Sequence, residues 1–114
     1  MTETTNEAGI EKRPKSPLTS KQKKFLRGEA HHLDPLVRVG NSGLTPQLAE
    51  AVLDALDTHE LVKVKVLEGA PVDKNEAGEY LATHCGAYVV GAIGRIVILY
   101  RRHPKRPMVP LPSR

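Results

Sequence analysis

The sequence predicts an α/β domain, a compact mixed four-stranded sheet with three helices in the order α-β-α-β-α-β-β. Three observations predict it. Short β-branched runs alternate with segments whose apolar residues recur at helical spacing. The runs at 36–39 and 61–67 flank a helical segment, the spacing of a strand–helix–strand crossover, so they should be parallel neighbours with a right-handed connection. The runs at 88–92 and 95–100 lie so close together that they must pair antiparallel as a hairpin.

The first helix starts at Thr19 or Ser20, where Thr19 and Gln22 have capping-box spacing, and runs to about His32. Phe25, Leu26, Ala30 and Leu33 form its narrow apolar stripe. Lys21, Lys23, Lys24 and Arg27 crowd its first two turns, the wrong end of the helix dipole for cations. That misplacement disfavours the helix by only ~0.3–1 kcal/mol per exposed charge, so the cations are candidates for an outside partner. Strand one, 36–39, follows Pro35, and a turn, Gly40-Asn41-Ser42-Gly43, follows the strand. Thr45 then caps helix two, and Pro46 suits its first position because its missing N–H would be unpaired there.

Helix two runs to about Asp57, with Leu48, Ala49, Val52, Leu53 and Leu56 inward and Glu50, Asp54 and Asp57 in water. In strand two, 61–67, Val62, Val64 and Val66 alternate with Lys63 and Lys65, which predicts a wet, basic face of the sheet. Helix three starts near Asp73 or Asn75 and ends at Gly86, burying Ala77, Tyr80, Leu81 and His84 or Cys85. Ile93 and Gly94 turn the final hairpin, so the second Gly-x-x-Gly, at 91–94, is a structural turn. Residues 1–17 read as a disordered N-terminal tail and 18–100 as the domain. Residues 101–114 read as a basic, proline-rich tail in which Pro104, Pro107, Pro110 and Pro112 forbid helix or central strand.

The totals bound the function. A chain of 114 residues is one domain, and 17 Lys+Arg against 13 Asp+Glu suits a polyanionic partner. A single cysteine, Cys85, excludes an internal disulfide and fits a reducing compartment. No apolar run approaches the ~20 residues of a membrane span, and residues 1–9 are too polar for a signal peptide, so a cytoplasmic location is expected. Aromatic content of 4% leaves no wide platform for stacking bases. No cofactor is implied. The histidines, His31, His32, His59, His84 and His103, show no His-x-x-x-His spacing and Cys85 has no partner cysteine, which weighs against a metal or acid–base site.

The 40–43 loop sits between a strand and a helix N-terminus, where free amides and the positive dipole end favour a phosphate. Its candidate contacts are Gly40, Asn41, Ser42, Gly43 and Thr45. The candidate cations are Lys21, Lys23, Lys24, Arg27, Arg38, Lys63, Lys65, Arg95, Arg101 and Arg102, with Lys105 and Arg106 beyond. About five phosphate contacts would give a log–log salt slope of roughly −3.5 on single-stranded RNA. The cations should therefore supply most of the affinity and the loop the position. The rival reading is a protein-docking module whose charge serves solubility.

Four blocks in order, beginning at Leu18-Thr-Ser-Lys-Gln-Lys-Lys-Phe-Leu, Val37-Arg-Val-Gly-Asn-Ser-Gly-Leu-Thr, His59-Glu-Leu-Val-Lys-Val-Lys-Val and Val97-Ile-Leu-Tyr-Arg, resemble the YhbY-like family. Its domain is called the chloroplast RNA splicing and ribosome maturation (CRM) domain. The resemblance implies a fold similar to the C-terminal domain of translation initiation factor three. It also implies RNA binding, with ribosomal RNA and precursors of the large ribosomal subunit as partners. A monomer without catalytic activity is expected. The family's Gly-x-x-Gly loop falls on Gly40-Asn41-Ser42-Gly43. Many relatives carry a basic residue inside it; with Asn41 and Ser42 there, contact through backbone N–H groups is expected.

Overall fold

The computed structural model describes residues 18–113, and the expected tail at 1–17 lies outside the described residues. The elements come in the predicted order: α1 (Ser20–Ala30), β1 (Val37–Val39), α2 (Pro46–His59), β2 (Leu61–Val66), α3 (Lys74–Cys85), β3 (Tyr88–Ile93) and β4 (Ile96–Tyr100). The sheet order is β1-β2-β4-β3. β1 and β2 are parallel, and β4 is antiparallel to both β2 and β3.

Local chemistry sets the boundaries. Thr19 Oγ1 accepts the Gln22 N–H at 3.1 Å and Gln22 Oε1 accepts the Thr19 N–H at 3.0 Å, the full capping box. α1 stops at Ala30 rather than His32, because the His31 N–H donates to Gly28 O at 3.2 Å and the chain tightens into turns. Asp73 and Glu76 form a second box at α3, which ends on Gly86 at φ 64. The hairpin turn is Gly94-Arg95, one residue later than the sequence suggests, since Ile93 pairs with Ile96. Gly94, at φ 59, takes the first central position that a type II′ turn reserves for glycine.

The sheet carries two cores. On one face α2 and α3 bury Val52, Leu56, Leu81 and Cys85 against Val39, Val62, Val64, Val97 and Leu99. On the other, α1 buries Leu26 and Ala30 against Leu61, Val90, Ile98 and Tyr100, with Val109 and Leu111 packed alongside. This corrects the expectation of a wet sheet face behind Val62, Val64 and Val66. Leu61 occupies that face, and α1 covers the end of it that holds Leu61, Ile98 and Tyr100. Lys63 and Lys65 are half-buried.

The segment after β4 also departs from the expected loose tail. Its prolines exclude helix and strand, and it forms neither, but it is tied down. Glu60, fully buried between α2 and β2, accepts the His103 N–H at 2.7 Å on Oε2. On Oε1 it accepts the Met108 and Val109 N–H groups at 2.8 and 2.7 Å. Gln22 Nε2 donates to Pro112 O at 2.9 Å. Glu60 also caps α2, whose last residue, His59, lies two beyond the expected Asp57, and it does so at φ 64, a backbone angle costly for a residue with a Cβ.

Candidate nucleic-acid interface

β1 ends in the 40–43 loop, which is a closed turn: the Gly43 N–H donates to Gly40 O at 2.9 Å. That amide is therefore unavailable to a ligand, and the anion seat is narrower than the sequence implies. The Asn41 and Ser42 N–H groups have no partner among the described residues. At the start of α2, Pro46 has no N–H, and Thr45 Oγ1 takes the Leu48 N–H at 3.1 Å. The Gln47 amide is left free among the described residues, a donor that sequence reasoning missed although the cap and the proline both pointed to it.

The two glycines differ. Gly43 is buried at φ 70, and a Cβ there would lie 2.9 Å from Pro71 Cγ, so the turn itself demands glycine. A Cβ on Gly40 would meet only Leu67 Cδ1, at 4.0 Å, so the fold does not demand glycine there. An open groove of about 530 Å³ runs beside the loop, lined by Arg38, the four loop residues, Thr45 and Gln47 among others, with no acidic residue in its wall.

The register places the strand cations. Arg38 is opposite Lys65 across β1 and β2, and Lys65 is opposite Ile96 across β2 and β4. Arg38, Lys63 and Lys65 share the α1 face by strand alternation. Lys63 Nζ donates to Leu33 O at 2.9 Å and so also fastens the chain leaving α1. Arg27 lies over the same face, with its guanidinium donating to Val90 O at 3.0 Å. Lys21 and Lys24 are exposed on α1 and Lys23 is half-buried. Arg95 is exposed in the hairpin turn, with Glu68 at 4.0 Å.

Arg101 stands apart. It points to the α2 face, where its guanidinium pairs with Asp57 at 2.9 Å, so its charge is already matched. Arg102 is exposed beyond the end of β4, away from the groove. The helices of the opposite layer, α2 and α3, carry Glu50, Asp54, Asp57, Glu76 and Glu79 against Lys74 alone among lysines and arginines. Cations thus predominate on the α1 side, where α1 carries Glu29 alone among carboxylates, and carboxylates predominate on the other.

Cys85 and Tyr100 are buried in the two cores. Burial pushes the Cys85 thiol up to about 11 against the lowering influence of Arg101. Burial, reinforced by Glu60, raises Tyr100 to about 12, with Arg102 opposing. His84 stacks on Tyr80 with ring centroids 3.9 Å apart. Among the described residues no group of three His, Cys, Asp or Glu is placed to hold a metal ion, and no helix is long and apolar enough to cross a membrane.

Residues 18–101 match the CRS1 / YhbY (CRM) domain. The chain belongs to this family. Among similar proteins, the "Probable RNA-binding protein YqeI" of Bacillus subtilis is 38% identical over 95 residues, 83% of this chain and 99% of the relative. An "RNA-binding protein" of Haemophilus influenzae is 42% identical over 84 residues, 74% of this chain and 85% of the relative. The solution structure of SAV1595 from Staphylococcus aureus superposes with a TM-score of 0.72 at 34% identity, covering 84% of this chain and all of that one. The predicted three-helix, four-stranded CRM fold is thus the observed one.

Proposed function

We propose that this CRM protein binds structured RNA through the groove beside the 40–43 loop and the cations of the α1 face, and that its RNA is ribosomal RNA in precursors of the large ribosomal subunit. One observation carries the binding mode: Arg38 and the glycine loop line one groove that has no acidic wall. The free Asn41, Ser42 and Gln47 amides donate to a phosphate at the end of β1. Arg38, Lys65 and the α1 lysines hold the backbone alongside. The names of the similar proteins, which are RNA-binding proteins, support the partner class. The chemistry is positional, since phosphate contacts fix register while carrying no base identity.

The test is binding of an RNA stem-loop measured against salt. Five contacts predict a log–log slope of roughly −3.5 to −4.5, between the single-strand and duplex values. Gly40→Ala puts a methyl into the groove without disturbing the turn and should weaken binding while the fold stays intact. Wild-type affinity in Gly40→Ala and in Arg38→Ala would overturn the groove as the site. For the cellular partner, crosslinking and sequencing of attached RNA should give reads concentrated in large-subunit ribosomal RNA. Reads scattered over messenger RNA would overturn the assembly role.

A further inference from the structure

We propose that residues 102–106 form a second, preformed phosphate-binding site for the same RNA, held in shape by the buried carboxylate of Glu60; the inference rests on the RNA-binding reading above. A carboxylate removed from water is unfavourable unless its lone pairs are filled. Every side-chain partner of Glu60 is a backbone N–H of the segment that follows β4: His103 on one oxygen, Met108 and Val109 on the other. The Glu60 carbonyl accepts the Arg101 N–H as well, at 2.9 Å. One residue thus fastens both ends of a short loop.

The loop is braced internally. His103 Nδ1 accepts the Lys105 and Arg106 N–H groups at 3.1 and 2.9 Å. Pro104 and Pro107 flank those two residues and restrict the backbone on either side. Ordering a chain segment costs ~1–2 kcal/mol of backbone entropy per residue. Here that cost fixes a loop whose outward side chains are cationic: Arg102, Lys105 and Arg106 are all exposed, and none takes part in an ion pair with a described residue. Arg101, next in sequence, is the one already matched by Asp57. A preordered set of unmatched cations fits a polyanion, because little freedom remains to be lost on binding.

The loop lies at the β2 end that follows Glu60, whereas the 40–43 loop lies at the other end, where the Leu67 N–H donates to Val39 O at 2.9 Å. Strand rise over β2 separates the two sites by roughly 20 Å. RNA held at both would run along the β1–β2 side of the sheet, past Lys63 and Lys65. The loop lies beyond residue 101, where the CRM match ends.

The experiment compares the full chain with Lys105→Ala/Arg106→Ala, with Glu60→Gln, and with Arg38→Ala as the groove control, using an RNA stem-loop at several salt concentrations. Lys105→Ala/Arg106→Ala retains every backbone bond of the loop. It should lower the slope magnitude by about 1.4–1.8 and the affinity at 0.1 M salt at least twentyfold. Glu60→Gln places an amide N–H where the His103 N–H donates, so the His103 amide should exchange faster and affinity should fall. A wild-type slope in Lys105→Ala/Arg106→Ala, with Arg38→Ala still weakened, overturns the second site and leaves the groove standing. Faster exchange in Glu60→Gln with unchanged affinity overturns the claim that the loop must be held. If the full chain does not bind the RNA, both readings fall.

Discussion

Arg27 lies on Gly91. Its guanidinium donates to Val90 O at 3.0 Å, and a Cβ on Gly91 would stand 2.7 Å from its Cδ. The bare glycine makes room for the arginine stem where α1 crosses the sheet, and the register of β3 against β4 shifts between Val89 and Gly91 at the same point. Arg27→Ala should cost about 1 kcal/mol, a melting temperature ~4–8 °C lower. Gly91→Ala should destabilise the wild type more than it destabilises Arg27→Ala. A thermal double-mutant cycle checks this, and additive effects would show that the two residues do not interact.

The two glycines of the 40–43 loop should separate fold from function. Gly43→Ala meets both a φ of 70 and Pro71, and should lose ~1–3 kcal/mol of stability. Gly40→Ala should stay within about 0.5 kcal/mol of wild type in a urea titration, as a surface change does.

Glu60 sets a backbone penalty against a hydrogen-bonding gain. Glu60→Ala keeps the unfavourable φ of 64 and loses the carboxylate, whereas Glu60→Gly loses the carboxylate and relieves the backbone. Both should release His103, Met108 and Val109 to amide exchange, with Glu60→Gly the more stable by about 1 kcal/mol. Equal protection in either variant and wild type would contradict the clasp.

Alkaline pH should destabilise the fold through Cys85 and Tyr100. The folded protein keeps their protons to about pH 11 and about pH 12, pushed up chiefly by burial. The unfolded chain releases them near ~8.5 and ~10. Between those values the folded state binds more protons, so stability falls as pH rises. Chemical denaturation at pH 8 to 11 should show the decline, and Cys85 should resist alkylation until the protein unfolds. Tyr100 Oη is buried with no partner among the described residues, so Tyr100→Phe should be neutral or stabilising by up to about 1 kcal/mol and should remove part of the decline.

Much of this was legible in the sequence for identifiable reasons. Thr19 with Gln22, Thr45 with Pro46, and Gly86 punctuate helices by local chemistry, and the Val62, Val64, Val66 alternation fixed one core. What was not legible depends on distant partners. Nothing near Glu60 in the chain marks it as the acceptor for amides more than forty residues away. Nothing near Lys63 says that α1 will cover one end of its sheet face. Arg101 reads as one more free cation until the fold brings Asp57 to it. Gly40 and Gly43 look equivalent until the φ of Gly43 and its contact with Pro71 distinguish them.

The most direct test of the groove is titration of an RNA stem-loop into isotopically labelled protein with amide shifts followed by NMR. The largest changes should fall on Arg38, Asn41, Ser42, Gln47 and Lys65. Changes confined to the outer surfaces of α2 and α3, around Glu50, Asp54 and Glu79, would contradict the account.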